Sequence, residues 1–276
     1  MRPVTLDARV AGDPGGEPVV LLHGFPQGAA GWDRVWPALV EAGYRVVVPD
    51  QRGYSPGARP PRRRDYRMAE LVADVVALLD RLAVDRAHLV GHDWGGAVAW
   101  AVAGTHPDRL RSLTAVSTPH PRALAGALLT SRQGLLSWYI LAFQLPWLPE
   151  RLFLARDGRL LRRVLRRSGL GAGSTEAYVT AMRRPGTLTA ALHWYRAVPL
   201  GRGPLADPRP VRVPTLFVWG AADFALGRAA ATRTAGQVRG PYTFVEVPGG
   251  SHWIPERHPD ALLDPLLRHL RSVPTG

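Results

Sequence analysis

Gly91-His92-Asp93-Trp94-Gly95-Gly96 is the stretch that decides how this chain is read. It follows the apolar run His88-Leu89-Val90 and opens a helical pattern from about Gly95 to Gly104. A strand that turns sharply into a helix strains its central residue and brings neighbouring backbones close, so only small side chains fit two positions to either side. With serine at the centre such an elbow reads Gly-x-Ser-x-Gly; here the centre is Asp93. A carboxylate is ionised at neutral pH and attacks without help from a base. It can displace a leaving group at an sp3 carbon and leave an ester that water then cleaves. The competing explanation is an aspartate that caps the following helix, and the hexapeptide alone does not separate the two.

Outward from the elbow, short β-rich apolar runs alternate with longer helical patterns. Pro18-Val19-Val20-Leu21-Leu22 and Tyr44-Arg45-Val46-Val47-Val48 read as buried strands, and Leu113-Thr114-Ala115-Val116 as another. Between residues 66 and 82 the apolar positions Met68, Leu71, Val72, Val75, Leu78, Leu79 and Leu82 form the stripe of a core-facing helix. The alternation predicts a mostly parallel central sheet flanked by helices. It breaks from about Pro119 to Pro210, where the chain is helical, aromatic and basic, with no convincing buried strand. Strands resume at Thr215-Leu216-Phe217-Val218-Trp219 and Tyr242–Val247, and a helix over 258–271 closes the chain. We therefore divide it into a core domain, residues 1–118 and 211–276, and a helical cap or lid, residues 119–210, inserted between sheet strands. Such an insertion sits over the sheet's C-terminal edge, where these folds bind ligands. The Pro-rich stretches 56–61 and 207–214 read as a loop and a hinge.

At 276 residues the chain accommodates one catalytic domain with an insertion, and 46% hydrophobic with 21% charged residues is the profile of a soluble globular protein. Cysteine is absent, which excludes disulfides and cysteine-based metal or redox sites. Met1-Arg2-Pro3-Val4-Thr5-Leu6-Asp7 carries no apolar signal region, so the expected compartment is cytoplasmic. No run of about 18 apolar residues reads as a membrane span. The net charge of +13 comes from 35 arginines and no lysine, and the arginines are scattered. The densest clusters are Arg62-Arg63-Arg64 and Arg159–Arg167; in the second, Leu160, Leu161, Val164 and Leu165 recur at helical spacing. That pattern is an amphipathic helix with a solvated basic face, so neither nucleic acid nor a membrane is the expected partner. Nothing calls for a metal, nucleotide or flavin, so no cofactor is expected.

Companions of the elbow sharpen its reading. His23-Gly24-Phe25-Pro26 follows the Pro18–Leu22 strand, where sequences of the α/β-hydrolase type supply an oxyanion-hole amide; here that is the Phe25 N–H, joined by the N–H of Trp94 after the nucleophile. Gly220-Ala221-Ala222-Asp223 follows one late strand and Gly249-Gly250-Ser251-His252-Trp253 the next. Nucleophile, acid, histidine is the chain order this architecture uses. The alternative position for the acid, Ser117-Thr118-Pro119-His120, offers no carboxylate, leaving Asp223 as candidate acid and His252 as candidate base. The other eight histidines, His23 among them, are assigned to structure or surface.

On these residues the chain resembles the soluble-type epoxide hydrolases of the α/β-hydrolase superfamily over nearly its whole length, from His23-Gly24-Phe25-Pro26 through Asp50-Gln51-Arg52-Gly53-Tyr54-Ser55 to Gly250-Ser251-His252. The His-Gly-x-Pro and His-Asp-Trp-Gly motifs are shared with haloalkane dehalogenases and fix the superfamily, not the reaction. Ser137-Trp138-Tyr139 through Pro146 is similar to the family's first lid-tyrosine segment, and His193-Trp194-Tyr195-Arg196-Ala197 to its second. The resemblance implies an α/β-hydrolase fold, with Tyr139 and Tyr195 pointing down at Asp93, and conversion of an epoxide and water to a diol. Tyrosine fits that chemistry, because a phenol stays protonated at neutral pH, hydrogen-bonds the epoxide oxygen and donates its proton as the C–O bond breaks. The bland alternative makes both tyrosines lid core aromatics. A haloalkane or haloacid dehalogenase is the competing enzyme, but the fluoroacetate type carries Arg after its nucleophile and Trp where Tyr139 stands. A non-catalytic binding protein on this scaffold has no need of Asp93, Asp223, His252 and two lid tyrosines together. One departure is Gln27-Gly28-Ala29-Ala30-Gly31-Trp32, less bulky than in many relatives and expected to widen one wall of the pocket. Beyond substrate and water, the one macromolecular partner expected is a second copy of the chain in a homodimer.

Overall fold

Residues 4–200 and 209–274 are described by the computed structural model. The first strands are β1 (Ala8–Ala11), β2 (Pro18–Leu22), β3 (Arg45–Pro49) and β4 (Ala87–His92). They are followed by β5 (Leu110–Val116), β6 (Thr215–Gly220) and β7 (Tyr242–Val247). They form one sheet in the order β1-β3-β2-β4-β5-β6-β7. Only β1 runs antiparallel, against β3; every other pairing is parallel. This is the mostly parallel sheet that the alternation predicts, in the strand order expected of the α/β-hydrolase fold that the resemblance implies.

The strand side chains sort the two faces. Val19 and Leu21 of β2 pack with Leu39 of α1 (Trp36–Glu41) and with Leu262, Leu266 and Leu270 of the last long helix, while Val20 and Leu22 face the opposite cluster. That opposite cluster holds the stripe of α2 (Met68–Arg81) and most of α3 (Trp94–Thr105). Both faces being covered explains why these strands read as continuous apolar runs instead of alternating ones. α3 is built mainly from Ala, Val and Gly and is buried along nearly all its length, which lets it approach the sheet closely.

Between β5 and β6 the described residues form six α-helices: α4 (Pro121–Thr130), α5 (Gln133–Leu136), α6 (Trp138–Ala142), α7 (Leu148–Arg167), α8 (Ala172–Met182) and α9 (Thr187–Ala197). No strand occurs among the described residues of this insertion. α7 is broken by non-helical backbone from Ala155 to Gly158. After β6 come α10 (Arg228–Arg233), α11 (Ile254–Arg257) and α12 (Pro259–Ser272). Of the stretch expected to act as a hinge, residues 207 and 208 lie outside the described residues, and Val211 pairs with Val238 as an isolated bridge. No described helix is long and apolar enough to cross a membrane.

Because β2 and β4 to β7 run parallel, the loops leaving their C-terminal ends gather along one edge. That edge receives Phe25 from β2, Asp93 from β4, Asp223 from β6 and His252 from β7.

Candidate active site

Asp93 sits between β4 and α3 with φ 51° and ψ −121°, a backbone that a non-glycine residue adopts only when its surroundings enforce it. The enforcement is close packing. A Cβ at Gly95 would collide with the Leu22 carbonyl, and one at Gly24 would overlap the Asp93 carboxylate itself. The carboxylate is not spent as a helix cap: it makes no side-chain bond to the first turn of α3. The Phe25 N–H donates instead to Asp93 Oδ2 at 2.8 Å. Trp94 is the first residue of α3, so its N–H has no acceptor within the helix.

His252 Nε2 lies 3.5 Å from Asp93 Oδ1, and its Nδ1 is 2.9 Å from Asp223 Oδ2. The other Asp223 oxygen accepts from the N–H groups of Ala225 and Leu226, at 2.8 and 3.0 Å, which fixes the carboxylate's orientation. The His252 carbonyl is fixed too, by the Ser117 hydroxyl at 2.9 Å and His92 Nε2 at 2.8 Å. Burial disfavours a charged imidazole here, but Asp223 and Asp93 outweigh it and push the His252 pKa up to about 10. Burial likewise disfavours an ionised Asp93; the hydrogen bond and charge of His252, the nearby His92 and the Phe25 N–H overcome it and hold Asp93 below the usual carboxylate value.

Tyr139, on α6, and Tyr195, on α9, line the same cavity of about 580 Å³ as Asp93, His252 and Phe25. Their rings are 6.1 Å apart, and Tyr195 packs edge-on against Trp94 at 5.0 Å. Burial and the charge of Asp93 raise both phenol pKa values, so both stay protonated across the neutral range. The neighbours of Tyr195 anchor it: Trp194 Nε1 donates to the Arg52 carbonyl at 2.9 Å, and Arg196 grips Glu150 at 2.6 and 2.8 Å. All the residues singled out from the sequence thus meet at one place. Asp223 stands behind His252, away from the cavity wall.

His23 is held by backbone on both sides: its Nδ1 is 2.9 Å from the Gly24 carbonyl, and its Nε2 accepts from the Gln51 N–H at 3.0 Å. The expected widening of the pocket at residues 27–32 does not occur, for none of them lines the cavity. Gln27 turns inward instead. Its Oε1 accepts from the Gly24 N–H at 2.6 Å and lies 3.0 Å from His92 Nδ1, while its Nε2 donates to Glu256 Oε1 at 2.5 Å. Tyr178 of α8 donates to the same Glu256 oxygen at 2.8 Å. Sequence reasoning missed this chain of His92, Gln27, Glu256 and Tyr178. The only signal was a carboxylate four positions after His252, and that spacing alone names no partner.

Comparison with known proteins gives the family and the fold. The family model described as alpha/beta hydrolase fold matches residues 17–259. The chain is 38% identical to the AB hydrolase superfamily protein YfhM of Bacillus subtilis (strain 168), covering 98% of this chain and 95% of that protein. It is 34% identical to Epoxide hydrolase A of Mycobacterium tuberculosis, covering 95% and 93% respectively. Among solved structures, Epoxide Hydrolase A from Mycobacterium thermoresistibile superposes with a TM-score of 0.85 at 30% identity, over 98% of this chain and 97% of that one.

Proposed function

The chain belongs to the α/β-hydrolase superfamily, among its epoxide hydrolases, and from that premise we propose that it adds water to a small-molecule epoxide through an ester on Asp93. In this proposal residues 119–210 are a cap closing over the core of residues 1–118 and 211–276. The observation that carries the reading is the shared cavity, with a carboxylate and histidine on the sheet edge and two protonated phenols on the inserted helices.

In the first half-reaction Asp93 Oδ1 attacks a ring carbon, the ring C–O bond breaks, and Tyr139 or Tyr195 gives its proton to the departing oxygen. The product is a hydroxyalkyl ester whose carbonyl oxygen is Oδ2, already held by Phe25. Ester formation also neutralises Asp93. That removes one of the two carboxylates that keep His252 protonated, so the imidazole becomes available as a base. In the second half-reaction neutral His252 takes a proton from water, and the hydroxide adds to the Asp93 carboxyl carbon. Phe25 and Trp94 N–H groups receive the oxyanion. Collapse expels the diol oxygen, which takes the proton from His252, and the regenerated carboxyl gives up its own proton, restoring the phenol through solvent. Asp223 holds His252 in the tautomer that proton abstraction requires.

Every side chain used comes from one chain, so the reaction is independent of whether the protein forms a homodimer. The cytoplasm is the proposed compartment, from the lack of cysteine. The direct test is activity of the purified protein on a panel of small epoxides beside a panel of haloalkanes. Diol formation without halide release is expected; halide release without diol would replace the proposal by a dehalogenase.

A further inference from the structure

Twelve of the fifteen large apolar residues most exposed to solvent among the described residues fall between Leu128 and Val164, on α4 to α7. Leu129 is 90% exposed, Leu135 and Leu141 75%, and Trp138 66%. Scattered exposed leucines need no explanation, but a concentrated group on one set of neighbouring helices marks a contact surface. Several of these residues also line the cavity that ends at Asp93, among them Leu135, Trp138, Leu152 and Val164. The cavity therefore reaches the exterior through an apolar mouth.

The charge around that mouth says what covers it. Residues 119–200 carry twelve arginines against three carboxylates. All three carboxylates are already engaged: Glu150 by Arg196, Asp157 by Arg183 and Glu176 by Arg162. The exposed Arg132, Arg151, Arg159 and Arg163 lie on or directly beside the helices that present the apolar side chains. Two copies of so basic a face would repel one another. Apolar side chains interleaved with arginine, Trp among them, match a surface whose headgroups are anionic and whose interior is apolar.

Against the expectation from sequence that this basic segment is merely solvated and that no membrane is a partner, we propose that the α4–α7 face docks this protein on the surface of an anionic lipid bilayer, with the mouth of the Asp93 cavity against the acyl region. Docking lies in the plane of the interface and needs no spanning helix. It gives the cavity access to lipophilic molecules dissolved in the bilayer. That delivery rests on the epoxide hydrolase reading, whereas docking itself does not.

The test is sedimentation of the full chain with vesicles of phosphatidylcholine alone or of phosphatidylcholine with phosphatidylglycerol. The protein should pellet with the anionic vesicles only, and high salt should release it. Arg132→Gln with Arg163→Gln should weaken partitioning by about thirtyfold, roughly fivefold for each charge removed. Leu129→Asp with Leu141→Asp, at positions outside the cavity wall, should abolish pelleting while turnover of a small water-soluble epoxide is kept. If neither the variant nor the parent turned over that epoxide, the enzymatic reading would fail and the docking result would stand. Three outcomes overturn the proposal: no pelleting with anionic vesicles, pelleting that the aspartate pair leaves intact, or a concentration-dependent dimer that the same pair dissolves.

Discussion

Gln27 and Glu256, 229 positions apart in the chain, are hydrogen-bonded Nε2 to Oε1 at 2.5 Å. The bond ties the loop that carries Phe25 to the short helix α11 that follows His252. Through Tyr178 it extends to α8 of the insertion. One buried polar chain thus joins the oxyanion loop, the histidine loop and the inserted helices. Burial pushes the Glu256 pKa up to about 7, against the pull of its Gln27 and Tyr178 hydrogen bonds.

Glu256 should make stability depend on pH. Its folded pKa is raised, so its contribution is fully present below the ordinary glutamate value and is lost as pH rises through about 7. Glu256→Gln keeps an acceptor for Gln27 and Tyr178 but cannot ionise. Relative to the parent, the variant should be unchanged near pH 4 and more stable at pH 8, by up to about 3 kcal/mol. Chemical denaturation at both pH values measures this; an equal difference at the two would mean that Glu256 does not titrate in the folded state.

The protonation of His252 should follow the charge on Asp93. Asp93→Asn imitates the neutral ester while leaving Asp223 in place, and the His252 pKa should fall from about 10 towards the ordinary histidine value. Proton NMR titration of the imidazole reads this directly. An unchanged titration would show that Asp223 alone holds the proton and that ester formation does not release the base.

His252→Gln should separate the two half-reactions. Alkylation needs no base, so the variant should form the ester and then stall. Mass spectrometry after mixing with an epoxide should find the adduct on the peptide containing Asp93. Normal turnover without an adduct would remove His252 from the mechanism.

Legibility in the sequence depended on the kind of signal each element leaves. β2 and β7 are legible to the residue because β-branched and aromatic runs end sharply at polar or Gly-rich sequence. β1 is not: Ala8-Arg9-Val10-Ala11 is a short edge strand with Val10 47% exposed, so neither alternation nor a continuous apolar run marks it. β5 begins three residues before its visible core because Arg111 interrupts the run, its charge met by Glu17 at 3.2 Å. Within the site, Asp93, Asp223 and His252 were legible through the elbow and the chain order, which are local patterns. The Gln27–Glu256 bond was not, since a contact between distant loops leaves no periodicity. Nor was the open apolar face: Leu160, Leu161, Val164 and Leu165 read as one stripe, yet only Leu161 and Leu165 are buried. A helical pattern reports which side chains share a face, and tertiary packing alone decides how much of that face is covered.

The two phenols give the sharpest test of the reaction class. If Tyr139 and Tyr195 activate the epoxide, they act in alkylation, before any ester exists. Tyr→Phe at either position removes one donor and keeps ring volume, so the contact of Tyr195 with Trp94 at 5.0 Å should persist. Loss of one such donor costs about 2 to 4 kcal/mol of barrier, roughly a hundredfold or more in rate. Each single variant should be slow but active, because the other phenol still donates. The double variant should form almost no ester, the opposite of His252→Gln, which accumulates it. Trp94 beside the nucleophile provides a fluorescence signal for alkylation in rapid mixing, and altering Tyr195, whose ring packs edge-on against it, requires a control with the inert Asp93→Asn protein. Full-speed alkylation in the double variant would reduce the tyrosines to packing and leave the epoxide assignment without its discriminating feature.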